Sequence, residues 1–167
     1  MEHQKHFLLI GPMNAITYKE VFPLLQGGKL WLGRTAVRSF LTPEGTIRKF
    51  GNVFWYTDLD SPQRHTPLLL DRRYSPELYP RYVNYDAIEV SKVAMIPGNH
   101  TGAMGVPISF LTKHCPEQFE ILGLSSTAAQ SIPADLPKHL RGGVRFYLQD
   151  LDGNYRRMYE RLVIRRK

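Results

Sequence analysis

Cysteine is almost absent from this chain: among its 167 residues only Cys115 carries a thiol. No disulfide can form within the chain, which fits a reducing compartment. A nucleophilic cysteine needs a base and a site that favours the thiolate. His114 is next in sequence, but adjacent side chains seldom converge, so Cys115 reads as structural. The six histidines fall into no His-x-x-x-His spacing and no Cys/His cluster, so no metal site is expected. No apolar run approaches the roughly 18 residues needed to cross a membrane. Residues 1–6 carry no signal-peptide pattern, and a cytoplasmic location without membrane partners is expected. Among the 12 prolines no two are adjacent. No glycine-rich loop stands between an early strand and its helix.

Hydrophobic residues make up 43% of the chain and charged residues 22%, ordinary values for a globular protein. The formal charge is +7, and its placement matters more than its size. Arg156, Arg157, Arg161, Arg165, Arg166 and Lys167 crowd the last dozen residues. Arg34, Arg38, Arg48 and Lys49 form a second basic stretch, and Arg72 and Arg73 a third. Such surfaces attract phosphate backbones; a solvated face that aids solubility is the plainer alternative.

Phe7-Leu8-Leu9-Ile10-Gly11 is an unbroken apolar run, the pattern of a strand buried on both faces in the middle of a parallel sheet. A chain that opens on such a strand looks as if it starts partway through a fold. Asn14 suits a helix N-cap, and Ala15, Tyr18, Val21, Phe22 and Leu25 share one helical face until Pro23 ends or kinks it. Lys29–Leu32 reads as a further strand. The first 34 residues thus predict strand, helix, strand, the unit of an open α/β sheet. Residues 35–167 predict a β-rich remainder of the same single domain. Strands are expected at 35–42 and 46–59, joined at Pro43-Glu44-Gly45, with a bend at Gly51-Asn52. Residues 60–85, with four prolines and Tyr74, Tyr79, Tyr82 and Tyr85, predict an ordered loop packed on the core. Further strands are expected at 88–96, 106–111 and 119–124, and a hairpin turning at Asp152-Gly153 pairs 144–148 with 158–164.

These segments carry a resemblance. Phe7–Gly11 with Asn14–Glu20, Phe50-Gly51-Asn52 with Trp55–Asp60, Tyr85–Val90, and above all Gly102–Gly123 resemble, in order, blocks of the EcoRI-type adenine-specific DNA methyltransferases. The resemblance implies the C-terminal portion of a Rossmann-like methyltransferase sheet, with methyl transfer from S-adenosylmethionine to adenine N6 in duplex DNA. In that family an Asn-Pro-Pro-Phe type motif does the chemistry. This chain has no such motif, so none of its residues is assigned a catalytic role. The chain alone is expected to be inactive and to bind no cofactor, both motifs being supplied by a missing N-terminal half or subunit. Pro12 departs from the polar residue expected at its position.

The carboxyl end of the first strand would face the pocket of an open α/β sheet, which nominates Asn14. A target base must leave the duplex and stack on aromatic side chains, which nominates Trp55 and Tyr56, or else the series Tyr74, Tyr79, Tyr82 and Tyr85; core packing is the alternative for each. Arg156, Arg157, Arg161, Arg165 and Arg166 are the expected DNA contacts. Thr101–Gly105 gives only a weak phosphate-loop pattern. Asp58, Asp60, Asp86 and Glu89 are assigned no acid–base role. The rival readings are a stand-alone DNA-binding module and an inert gene remnant that self-associates through an open strand edge.

Overall fold

The opening apolar run does form a strand, β1 (Leu8–Pro12), but not a central one. The computed structural model describes residues 5–35, 37–129 and 131–167. A 3₁₀ turn at Met13–Thr17 and a helix α1 (Phe22–Gln26) follow β1, then β2 (Trp31–Leu32), β3 (Ser39–Leu41), β4 (Ile47–Lys49) and β5 (Val53–Thr57). The expected single helix over 14–22 is thus replaced by a short turn and a later helix. Pro23 does not end that helix but sits in its first turn, where a missing N–H costs nothing.

β5 lies between β1 and β2 and runs antiparallel to both. It follows that β1 and β2 run parallel to one another, as the strand–helix–strand pattern requires, but are not neighbours. A later strand of the same unit has entered between them, so this sheet does not end at residue 34. β1 is therefore an edge strand rather than one flanked on both sides. Its side chains are not buried: Leu8 is 56%, Leu9 59% and Ile10 44% exposed. β3 and β4 pair as a separate hairpin through the expected Pro43-Glu44-Gly45 turn, and the expected bend falls at Gly51-Asn52.

These elements belong to the first of two compact units, residues 1–64 with 111–113; residues 65–110 and 114–167 form the second. The second unit is built on a mixed sheet of β6 (Ile88–Glu89), β7 (Met104–Pro107), β8 (Phe119–Leu124) and β11 (Arg161–Arg166), in the order β6-β7-β11-β8. β6 and β7 are parallel; β11 is antiparallel to β7 and β8. A short helix α2 (Ser125–Ala128) follows β8. β9 (Tyr147–Gln149) and β10 (Tyr155–Arg157) make the C-terminal hairpin. The hairpin expected to continue through Leu162 and Ile164 stops at Arg157. β11 leaves it to fill the middle of the sheet, where Leu162, Val163 and Ile164 are fully buried. The strand expected over 88–96 is only two residues long, with a 3₁₀ turn at Val93–Met95.

Among the described residues the fold is β-rich with a few short helices and several sheets, within the α/β class. The tyrosine-rich loop is ordered and packed inward as expected: Tyr79 and Tyr82 are buried, and Tyr85 stacks on Phe146 with centroids 4.9 Å apart. Tyr82, Ala87, Phe146, Leu148, Met158 and Val163 form one core cluster. Gly105 on β7 makes room for it, because a Cβ there would meet Tyr82 Cε2 and Cζ at 2.8 Å. Overpacking of this kind costs about 1–3 kcal/mol. Gly105→Ala is expected to lower the urea midpoint accordingly, and a co-substitution Tyr82→Leu to recover part of the loss.

Candidate functional site

In the first unit, Tyr56 and the turn after β1 come together. Gly11 has no side chain, and the Tyr56 ring lies against the space that its Cβ would fill, 3.1 Å from Cε2. The phenol then donates to the Pro12 carbonyl at 2.8 Å. Burial, with a contribution from Tyr18, pushes the phenol up to about 12, so it stays protonated and keeps donating. Asn14 is exposed in the 3₁₀ turn that follows. It is not the cap of that turn, which is Pro12; its carbonyl accepts from Thr17 Oγ1 at 2.9 Å. Trp55 is half-buried and, being adjacent to Tyr56 on a strand, points to the other face. The Tyr56 phenol thus reaches the main chain two residues before Asn14, and Trp55 lies on the opposite face of β5.

β1 presents an open edge. Met13 N–H bonds to Asn52 O at 2.8 Å, and the register pairs Leu9 with Tyr56 and Gly11 with Phe54. Alternation along an antiparallel ladder then turns the N–H and C=O of Leu8 and Ile10 away from β5. Pro12 falls in the same outward set, so its missing N–H interrupts no bond to β5.

The second unit holds the basic end of the chain, and its arginines differ sharply. Arg161 is bidentate to Glu89, Nη2 to Oε1 at 2.7 Å and Nε to Oε2 at 3.0 Å. The Tyr82 hydroxyl donates to the same carboxylate. The side chains of Arg161 and Glu89 are only 12% and 4% exposed. Burial acts to lower the Arg161 pKa, but Glu89 outweighs it and the net shift is upward. Burial, then Glu89, pushes the Tyr82 phenol up. Arg157 donates to the Gly142 carbonyl, and its Nε is buried without a hydrogen-bond partner. Arg165 pairs with Glu120 at 2.8 Å, both half-exposed, and Arg166 donates to the Gly98 carbonyl. Arg156 is exposed on β10.

A cavity of about 430 Å³ opens beside this group. Tyr79, Pro80, Met95 and Met158 supply apolar wall, Glu89 and Arg161 a charged one, and Arg156, Arg157, Leu78 and Tyr159 also line it. Sequence reasoning missed it. The available signal was Glu89, a lone carboxylate within Ala87-Ile88-Glu89-Val90, since a carboxylate in a buried run needs a cationic partner.

Several other titratable groups are tied up locally. Cys115 is buried and its thiol donates to Glu117 at 3.2 Å; burial and that bond raise its pKa. His114 Nε2 lies 3.1 Å from the Phe119 carbonyl, and burial lowers its pKa. The hydrogen bond from His65, at 2.6 Å, holds Glu117 at about 2. Asp58 accepts from Phe7 N–H, Asp60 from Ser61 N–H, and Asp86 from Arg81. No cluster of three or more metal-ligating side chains occurs among the described residues, and no helix there is long and apolar enough to cross a membrane.

The family model described as adenine-specific methyltransferase EcoRI matches residues 1–44 and 36–167. The chain belongs to this family. It is 42% identical over 142 residues to the Type II methyltransferase M.EcoRI of Escherichia coli, an alignment covering 73% of this chain and 44% of that protein. Against the Type II methyltransferase M.MpnI of Mycoplasma pneumoniae the identity is 35%, over 72% of this chain and 44% of the relative. A third relative, M.MgeORF184P of Mycoplasma genitalium, is 31% identical. The chain therefore spans less than half the length of the relatives it matches. No solved structure matches it.

The family implies S-adenosylmethionine, and the glycines around β7 are the residues of this chain with which a cofactor cradle could be compared. They do not fit one. The Cβ space of Gly98 is taken by Leu70, that of Gly102 by His100 and that of Gly105 by Tyr82. The chain's own atoms fill the room that a ligand would need.

Proposed function

We propose that this chain is the C-terminal part of a DNA adenine-N6 methyltransferase, completing a Rossmann-like sheet whose cofactor and catalytic motifs lie on another stretch of polypeptide. The observation that carries this reading is the open edge of β1. Phe7, Leu8, Leu9 and Ile10 are exposed large apolar residues in succession, on an edge strand whose outward N–H and C=O groups lack a partner strand among the described residues. Isolated proteins blunt such edges; this one suits a strand added along β1 with apolar cover on both faces. Asn14 and Tyr56, at the end of β1, would then border the reaction pocket, with Trp55 behind them.

Duplex DNA is the proposed partner of the second unit, through the exposed Arg156, Arg165 and Arg166 and the half-exposed Arg157. Arg161, paired with Glu89, serves the fold first. Binding should weaken steeply with salt as counterions are displaced.

Complementation tests the enzyme reading. The chain is produced alone and together with a family polypeptide bearing a glycine-rich strand–loop–helix and the Asn-Pro-Pro-Phe type motif. Transfer of a labelled methyl group from S-adenosylmethionine to duplex adenine is then measured. Activity is expected only from the mixture. Transfer by the purified chain alone, or an inactive mixture in which the two parts have demonstrably associated, would overturn the proposal.

A further inference from the structure

We infer that the cavity of the second unit is a nucleotide subsite that takes one unstacked nucleotide, its base between the apolar walls and its phosphate on Arg156. The inference rests on the DNA reading above for its biological source, but its chemistry stands on the cavity alone.

Three arginines line the cavity and Glu89 is the sole carboxylate. Glu89 is already matched by Arg161 and Arg157 donates to the Gly142 carbonyl, so the exposed Arg156 supplies the cavity's excess positive charge and favours an anion. Its walls are the reverse of an ion site: Leu78, Tyr79, Pro80, Met95 and Met158 offer a largely apolar lining. A ligand that is flat and apolar in body, polar at its edge and anionic at one end satisfies both demands, and a nucleotide has that construction. Methionine adapts to rings of different shape and makes favourable contacts with them. Tyr159, 88% exposed beside the cavity, offers a stacking surface for a neighbouring base, an interaction that tolerates any sequence. The Glu89–Arg161 pair fixes the polar wall. Two donors of the guanidinium are held by Glu89, so the wall is polar and fixed in place. A base stacked within a duplex cannot enter such a cavity, whereas an extruded one can. A second concavity of about 370 Å³ shares Pro80 and Arg156 with the first and continues past Tyr155, which places Arg156 where a phosphate would join two successive nucleotides.

The test uses the full chain labelled at the methionine methyl groups. Met95 and Met158 line the cavity, whereas Met104 is buried elsewhere in the same unit and Met13 lies in the first unit. Deoxynucleoside monophosphates and inorganic phosphate are titrated separately while methyl resonances are followed. The nucleotides are expected to move the Met95 and Met158 signals saturably, with a dissociation constant in the millimolar range, and to leave Met13 and Met104 unmoved. Inorganic phosphate should not reproduce the shifts. Leu78→Trp, at an exposed position on the cavity lining, should abolish them while the Met13 and Met104 signals keep their places, which reports that the fold survives. No shift with nucleotide, the same shift with phosphate alone, or shifts that persist in Leu78→Trp would each overturn the subsite. Duplex binding is measured in parallel. If nucleotides bind but duplex DNA does not at any salt concentration, the subsite stands and the DNA reading falls. If duplex binding is intact without any nucleotide response, the subsite falls and the DNA reading stands.

Discussion

Glu89→Gln is expected to remove a large part of the stability of the second unit. The substitution preserves shape but leaves the Arg161 guanidinium, at 12% exposure, without a counter-charge. It also points amide hydrogens where Arg161 and Tyr82 both donate. Breaking one side of a buried pair costs about 3–5 kcal/mol, and a domain's whole stability is roughly 5–15 kcal/mol. The loss would appear as a large fall in urea midpoint followed by circular dichroism. The pair itself need not be worth that much, since much of the loss is the isolated charge that remains. A double substitution, Glu89→Leu with Arg161→Met, removes both charges and is expected to regain most of the stability. If the double variant were as unstable as Glu89→Gln, the ion pair would be contributing net stability well beyond its desolvation cost, and a stranded charge would not be the cause of the loss.

The second large effect separates the two edges of β1. Leu9 N–H faces β5 and Ile10 N–H faces outward, so proline at the two positions should behave differently. Leu9→Pro removes a ladder bond to β5 and is expected to disrupt the first unit; proline within a ladder is tolerated only at edges and bulges. Ile10→Pro leaves the β5 ladder intact and deletes a donor only from the open side. It should fold with nearly wild-type circular dichroism and thermal midpoint, yet reduce complementation of methyl transfer by two orders of magnitude or more. Ile10→Ala, which trims the side chain but keeps the N–H, should give a smaller defect. If Ile10→Pro complements fully, no strand adds along β1.

Much of the second unit is legible in the sequence because its signals are local. The Phe119–Leu124 strand falls where its apolar run predicts, and Asp152-Gly153 turns the final hairpin. There the Asp150 carboxylate accepts from the N–H groups of Asp152 and Asn154 at 3.0 and 2.8 Å. The packing of the tyrosine loop is legible from its aromatic content. β1 departs from its expected central place for a physical reason. An apolar run of five states that a strand wants cover on both faces, but not whether this stretch of polypeptide provides it. The continuous arm expected through Leu162 and Ile164 fails similarly: alternation marks each segment as a strand, whereas the break after Arg157 is set by which partner offers the deeper burial. Among the basic residues, composition groups Arg161 with Arg156, although one is held by Glu89 and the other is exposed. Only the apolar neighbours of Glu89 hint at the difference.

The position of β11 has a consequence for how the molecule is made. It is the last strand in sequence, yet it sits between β7 and β8, and Ile164 pairs with Met104 on one side and Ile121 on the other. During synthesis β6, β7 and β8 emerge before the strand that joins β7 to β8. The edges of β7 and β8 stay unpaired until β11, which begins only at Arg161, has been made and has left the ribosome. Pairings so distant in sequence also slow folding, because loop closure precedes the contacts that reward it. Translation speed over residues 125–160, and the presence of chaperones that shield unpaired strands, should therefore govern the yield of soluble protein more strongly than substitutions on the surface do.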